Sequence, residues 1–120
     1  MRFVWVTLAG AAGTLSRYAI ALAIGAEFFP WSTLLVNITG SFALALVVTL
    51  GTERVLSVEV ATAVTVGFMG AYTTFSTLAW ETFVMSRTHR AGVAAIYVGV
   101  SIVGGVLAAW GGYQLGRAMR

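Results

Sequence analysis

The chain has 120 residues, of which 59% are hydrophobic and 9% are charged, and its formal net charge is +3 at pH 7. A soluble domain carries about a quarter charged residues, so this composition indicates a protein whose surface faces mostly lipid. One histidine, no cysteine and four scattered carboxylates offer no metal-ligand cluster, and the basic residues form no stripe for nucleic acid, so neither function is expected.

Four apolar segments are separated by short links, and they cover residues 3–25, 32–51, 57–85 and 91–115. A transmembrane helix needs ~20 apolar residues, so the sequence predicts an all-α membrane protein with four transmembrane helices. No length remains for a soluble part. Residues 1–120 are therefore predicted to form a single transmembrane domain.

The first segment is predicted to be a span that the protein retains. It begins like a signal peptide, with Arg2 before an apolar run, but the run is too long and Arg17 interrupts it. An arginine at that depth in a bilayer is costly, so Arg17 is expected to be functional or paired.

The third segment has glycines and hydroxyls at its centre. Its midpoint is residue 71, next to Gly70 and to the run Thr73–Thr77, whose hydroxyl side chains surround Phe75. A helix broken here would free backbone carbonyls at the middle of the membrane, which suits an ion pathway. Close packing between helices would explain the same small residues, and the residues alone leave both interpretations open.

Depth counting brings several polar groups into one layer. Links one and three reach the same face of the membrane. At a rise of 1.5 Å per residue, four residues lie ~7–15 Å below that face: Arg17, Asn37, Phe75 and Ser101. The amide and hydroxyl donors of this layer belong to Asn37, Ser41, Tyr97 and Ser101. With a guanidinium and the positive edge of a phenylalanine ring, these donors favour a small hydrated anion over a cation.

Arg17 and Glu81 have two possible roles. Their depths differ by ~6 Å, so they could form a structural salt bridge within one subunit. Alternatively, they could line a charged vestibule. The sequence does not decide between the two.

The arginines at the span ends divide four to two between the membrane faces. This bias is weak under the positive-inside rule, so two copies could insert in opposite directions and pair antiparallel. A single topology with both termini inside is the alternative.

Three runs of residues resemble the Fluc (CrcB-like) family of fluoride channels. They are Gly10–Tyr18, the Val-Asn-x-x-Gly-Ser run within Thr33–Phe42, and Gly67–Thr77 with its Thr-Thr-Phe-Ser-Thr sequence, followed by Glu81. The resemblance covers the whole chain in order.

The resemblance implies an antiparallel, dual-topology dimer of four-helix subunits with two fluoride pathways. It implies passive export of cytoplasmic fluoride across the inner (plasma) membrane by a multi-pass protein, and a central structural sodium ion held by the backbone carbonyls of Gly70 and Thr73. Arg17 and Glu81 occupy the family's positions for these charges. The residues assigned to the fluoride pathway are Asn37, Ser41, Phe75, Thr77, Leu78, Tyr97 and Ser101.

Two positions depart from the family pattern. Leu78 stands where a second phenylalanine is usual, and Gly105 stands where a further hydroxyl is expected. Either the pathway accepts an aliphatic contact, or only part of it functions, or a different subunit completes a heterodimer instead of a homodimer.

Two other functions compete with a channel. A proton-coupled transporter of the small multidrug resistance type has a glutamate in its first span, whereas residues 1–26 of this chain contain no acid. A non-conducting membrane assembly subunit would explain the glycine faces but not the donor layer. No nucleophile–base pair or cofactor loop is present, so the chain is not expected to be an enzyme.

Overall fold

The computed structural model describes residues 1–119, and these residues form helices joined by short links, with no strand among them. The elements in chain order are α1 (Arg2–Ile24), α2 (Trp31–Thr52), α3 (Val58–Thr62), a π-helix (Ala63–Met69), α4 (Gly70–Tyr72), α5 (Phe75–Arg87) and α6 (Ala91–Ala118). By length and composition, α1, α2 and α6 can each cross a membrane. The predicted all-helical membrane architecture is confirmed to this extent.

The third apolar segment is helical on both sides of a two-residue break. Helix α3, the π-helix and α4 follow one another without a gap as far as Tyr72. Thr73 and Thr74 are then extended, with φ/ψ of −81°/158° and −151°/112°, and α5 begins at Phe75. The predicted break near residue 71 is therefore confirmed.

Small residues allow the helices to pack closely. Helix α2 packs along α6, and α1 packs against the π-helix and α4. A Cβ atom on Gly13 would overlap the carbonyl oxygen of Phe68, and one on Gly112 would overlap the carbonyl oxygen of Phe42. These glycine faces therefore contact protein backbone, as small residues do in membrane bundles.

The buried core is small and the exposed apolar surface is large. Tyr97 is fully buried and packs with Leu34, Met85 and Ala94. In contrast, large apolar side chains such as Phe3 and Trp110 are more than half exposed. The longest dimension is 49 Å, which exceeds the ~30 Å hydrocarbon core of a bilayer. Such a surface is suited to lipid or to another subunit.

Candidate functional site: the break in the third segment

Asn37 on α2 holds the broken segment in place. Its Oδ1 accepts a hydrogen bond from the Thr74 backbone N–H at 2.8 Å, and its Nδ2 donates to the Thr74 carbonyl at 3.1 Å. The extended backbone at Thr74 turns its N–H away from the preceding helix, and the single amide side chain of Asn37 bonds both the N–H and the carbonyl of this residue. An asparagine amide has two N–H donors, so one donor of Asn37 is still available.

Thr74 also caps the helix that follows it. Its hydroxyl oxygen accepts from the Thr77 backbone N–H at 3.2 Å and donates to the Thr77 hydroxyl at 2.9 Å. A threonine at the N-cap supplies one of the missing acceptors at the start of a helix. The break is thus fixed on one side by Asn37 and on the other by a cap. Sequence reasoning assigned Thr77 to the pathway but passed over Thr74, although its position before α5 is a recognisable N-cap signal.

Five of the predicted pathway residues lie on one cavity at the break. This break cavity has a volume of about 240 Å³. Among its lining residues are Asn37, Ser41, Phe75, Leu78 and Ser101. Residues of α2, α5 and α6 therefore meet here, whereas Thr77 and Tyr97 lie elsewhere, and Arg17, which depth counting places in the same layer, does not line this cavity.

The hydroxyls of the break cavity differ in whether they are already bonded. Ser41 donates to the Asn37 carbonyl at 2.6 Å. Ser101 is 8% exposed, and its hydroxyl oxygen is buried with no hydrogen-bond partner among the described residues. Buried polar groups are nearly always bonded, so an unpartnered hydroxyl beside a cavity indicates a place for a polar guest.

Phe75 lies at the open edge of the break cavity. It is the first residue of α5, and 82% of its surface is exposed. The edge of an aromatic ring carries positive potential, so an anion in the cavity can approach it favourably. Leu78, one turn further along, presents an aliphatic wall and also packs against the core around Tyr97.

A second cavity of about 390 Å³ lies between α1, α2 and α5. We call it the vestibule cavity. Its lining includes Arg17, Thr33, Thr77 and Glu81, and Thr74 lines both this cavity and the break cavity. The break therefore forms part of the wall between the two cavities.

Arg17 and Glu81 do not form the salt bridge that the sequence allows. Within residues 1–119 the one ion pair within 4.0 Å joins Arg2 to Glu59. The Glu81 carboxylate instead accepts hydrogen bonds from the Thr33 hydroxyl at 3.0 Å and from the Tyr97 hydroxyl at 2.6 Å. Two neutral donors already satisfy Glu81, so the two charges line the vestibule cavity without pairing.

Tyr97 contributes to this arrangement from inside the core. Its relative exposure is 0%, so it lines neither cavity. Its hydroxyl is bonded to Glu81, and its ring meets the Phe29 ring edge-on at 5.4 Å between centroids. The observed contact of Tyr97 is therefore with Glu81, while Thr33, the second donor to Glu81, was not among the site residues predicted from the sequence.

The broken helix also provides backbone oxygens. In a regular α-helix the Thr74 N–H would donate to the Gly70 carbonyl, but here it donates to Asn37. Thr73 is extended, so its carbonyl too has left the helical pattern. Within the described residues no group of three or more His, Asp or Glu side chains could hold a metal ion. Backbone carbonyls are oxygen ligands that hard cations accept, so the chemistry of these two groups is compatible with such an ion.

Comparison with known proteins shows the family to which the chain belongs. The family model described as "CrcB-like protein, Camphor Resistance (CrcB)" matches residues 4–113. The chain is 41% identical to "Fluoride-specific ion channel FluC 2" of Geobacillus kaustophilus, over 100% of this chain and 96% of the relative. It is 39% identical to "Fluoride-specific ion channel FluC" of Acidobacterium capsulatum over 98% and 97%, and 41% identical to the protein of that name from Thermus thermophilus over 98% and 95%. The chain therefore belongs to the CrcB-like family and is a multi-pass membrane protein.

Proposed function

We propose that this protein is a fluoride-selective ion channel that lets cytoplasmic fluoride leave the cell passively across the inner (plasma) membrane. One observation carries the proposal: the unpartnered Ser101 hydroxyl lies on the same cavity as the spare Asn37 N–H and the exposed Phe75 ring. The relatives bear the name of fluoride-specific ion channels over nearly their whole length. That name describes an ion channel, not an enzyme.

The chemistry of the break cavity favours an anion. Its lining contains amide, hydroxyl and ring-edge groups but no carboxylate. Donors directed at a small anion replace part of its water shell, and hydrogen bonds to a charged group are worth ~1.5–3 kcal/mol each. Fluoride is the halide that gains most from such donors, because it is the smallest.

The two cavities suggest an order for the pathway. Fluoride is attracted into the vestibule cavity by Arg17, whose charge no ion pair within 4.0 Å neutralises among the described residues. It then passes Thr77 on the vestibule side and Thr74, which lines both cavities. In the break cavity it meets Asn37, Phe75 and Ser101.

The functional unit is an antiparallel dimer of four-helix subunits. In this unit, α3 to α5 together form the third span, and the exposed ring of Phe75 is directed toward the second subunit. The weak arginine bias between the two membrane faces supports insertion in both orientations. Two copies related in this way give two fluoride pathways, and a different subunit in place of the second copy is the alternative.

A structural sodium ion would be bound between the two subunits of this dimer. The carbonyls of Gly70 and Thr73 in each subunit would hold it, and a cation bound there would offset the partial negative charge of the freed carbonyls. A Cβ atom on Gly40 would overlap the Thr73 side chain, so α2 supports this backbone at close range.

Fluoride release from liposomes tests the proposal. The purified protein is reconstituted into vesicles loaded with potassium fluoride, and a fluoride-selective electrode records release after a potassium ionophore is added. We expect fast fluoride release and no chloride release from matched chloride-loaded vesicles. Release that requires a proton gradient would instead indicate a coupled transporter, although α1 carries no acidic residue.

Leu78 requires a second arm in the same experiment. If folded protein is silent but Leu78→Phe conducts, the fault lies at that wall of the pathway. If coexpression with a related subunit restores release, the protein acts as a heterodimer. If folded protein is silent in all three forms, the chain is a non-conducting assembly subunit and the proposal is wrong.

A further inference from the structure

A third cavity, of about 270 Å³, lies beneath the link that joins α1 to α2. We call it the link cavity. Its lining includes residues 25–30 of the link, the start of α2, one side of α5 and Arg90. The fluoride pathway proposed above makes no use of this cavity.

The link cavity lies where four helices begin or end. Helix α1 ends at Ile24, α2 begins at Trp31, α5 ends at Arg87 and α6 begins at Ala91. The ends of membrane helices lie in the headgroup layer, where tryptophan is enriched. Trp31 and Trp80 both line the cavity and are 55% and 65% exposed, so the cavity opens toward that layer.

Arg90 is fixed in the cavity wall by Phe28. A terminal guanidinium nitrogen donates to the Phe28 carbonyl, and the guanidinium carbon lies 3.7 Å from the centroid of the Phe28 ring. Its Nε is buried and has no hydrogen-bond partner among the described residues. The fold thus holds the Arg90 guanidinium in position and leaves some of its five N–H donors without a partner.

Two carboxylates face the same cavity. Glu81 already accepts from Thr33 and Tyr97. Glu27 belongs to no ion pair within 4.0 Å, since in the described part of the chain the one such pair is formed by Arg2 and Glu59. Besides Glu81, whose carboxylate is held by two neutral donors, the cavity therefore offers one held cation, Arg90, and the Glu27 carboxylate, which has no ion pair among the described residues.

From this arrangement we propose that the link cavity binds the phosphoethanolamine headgroup of a membrane lipid. The phosphate is recognised by Arg90 and by the hydroxyl and backbone N–H of Ser32 in the first turn of α2, because guanidinium and helix N-termini both favour phosphate, whereas the Trp31 N–H already donates to the Phe29 carbonyl. The ammonium group donates to Glu27 and lies against the tryptophan rings, which attract cations. The lipid, and not a soluble phosphate ester, is the occupant because the cavity opens at the helix ends between apolar surfaces.

Native mass spectrometry of the delipidated protein tests this proposal directly. The protein is titrated with phosphatidylethanolamine, phosphatidylcholine and phosphatidylglycerol that have identical acyl chains. An exposed ion pair is worth up to about 1 kcal/mol, so we expect retention of phosphatidylethanolamine about fivefold above the other two. Glu27→Gln is expected to remove that preference, and Arg90→Gln to lower retention of all three lipids.

Arg87→Gln is the matched control, because Arg87 is exposed near the same membrane face but does not line the cavity. It should leave retention unchanged. Each variant is first checked for unchanged elution on gel filtration, so that lost binding is not lost folding. Soluble phosphoethanolamine should not displace the lipid at equal concentration.

Three results would overturn the proposal. Equal retention of the three lipids would show only nonspecific apolar contact. A preference for phosphatidylglycerol would show that Arg90 acts as a simple anchor for anionic lipid. Displacement by soluble phosphoethanolamine would show that the occupant is a free ester and not a lipid.

Discussion

Replacing Asn37 by Asp changes one polar group and tests the centre of the site. The aspartate keeps an oxygen that can accept from the Thr74 N–H, now 2.8 Å from Oδ1. It places a second oxygen where Nδ2 now donates to the Thr74 carbonyl at 3.1 Å. That position then has two oxygens facing each other, and the donor available to an anion is gone.

The expected effect on fluoride passage is large. One lost hydrogen bond to a charged group is worth ~1.5–3 kcal/mol, or about 10- to 150-fold in rate. A carboxylate about 4 Å from a passing anion adds about 4 kcal/mol of repulsion at an effective dielectric constant of about 20, a further factor of about a thousand. Fluoride release from vesicles should therefore fall below detection for Asn37→Asp.

The measurement is the electrode assay on vesicles with matched protein content, together with gel filtration of the same preparation. Loss of release from a protein that elutes normally is the expected result. Normal release from Asn37→Asp would contradict the reasoning, because a pathway past Asn37 cannot tolerate a carboxylate there.

Three further predictions use matched variants. Ser101→Ala should slow fluoride release about tenfold, because it removes an unpartnered donor. Ser41→Ala should change the rate little, because the Ser41 hydroxyl already donates to the Asn37 carbonyl. Equal release rates for these two variants in the electrode assay would refute this prediction. Gly13→Ala should destabilise the detergent-solubilised protein by ~1–3 kcal/mol in a thermal melt, because its Cβ would overlap backbone, whereas Gly99→Ala meets nothing within 4 Å and should be neutral. Tyr97→Phe removes the 2.6 Å hydrogen bond to Glu81 and should cost ~1–3 kcal/mol in the same melt; an unchanged melt would contradict a structural role for this contact.

The break was predictable because its causes are local. Gly70 and the hydroxyl-rich run after it are poor helix formers at the centre of an overlong apolar segment, and the chain does leave the helix at Thr73 and Thr74. The π-helix of Ala63–Met69 was not predicted. This element packs against α1, where Gly67 lies close to the Val6 carbonyl, and such contacts between distant segments cannot be read from the local sequence pattern.

Depth counting predicted only some of the polar residues that meet, and it did not predict which would bond. Position along a helix fixes height in the membrane, and Asn37, Phe75 and Ser101 do share a cavity, whereas Arg17 from the same predicted layer lies on the vestibule cavity. Rotation about the helix axis is fixed by packing, which the sequence pattern does not give. For that reason Glu81 was matched with Arg17 by height alone, whereas in the structure the hydroxyls of Thr33 and Tyr97 bond to it.

Asn37 connects the stability of the break to the passage of the ion. Breaking a helix in a membrane leaves backbone groups without water, so the break at Thr74 requires a partner from another helix. Asn37 is that partner, and it can use only one of its two N–H groups for the purpose. The donor left over is directed by the same two hydrogen bonds that hold the break. Substitutions at Asn37 therefore alter the local stability of the break and conduction together, and Ser101, which is bonded to no other described residue through its hydroxyl, is the position where conduction can be changed alone.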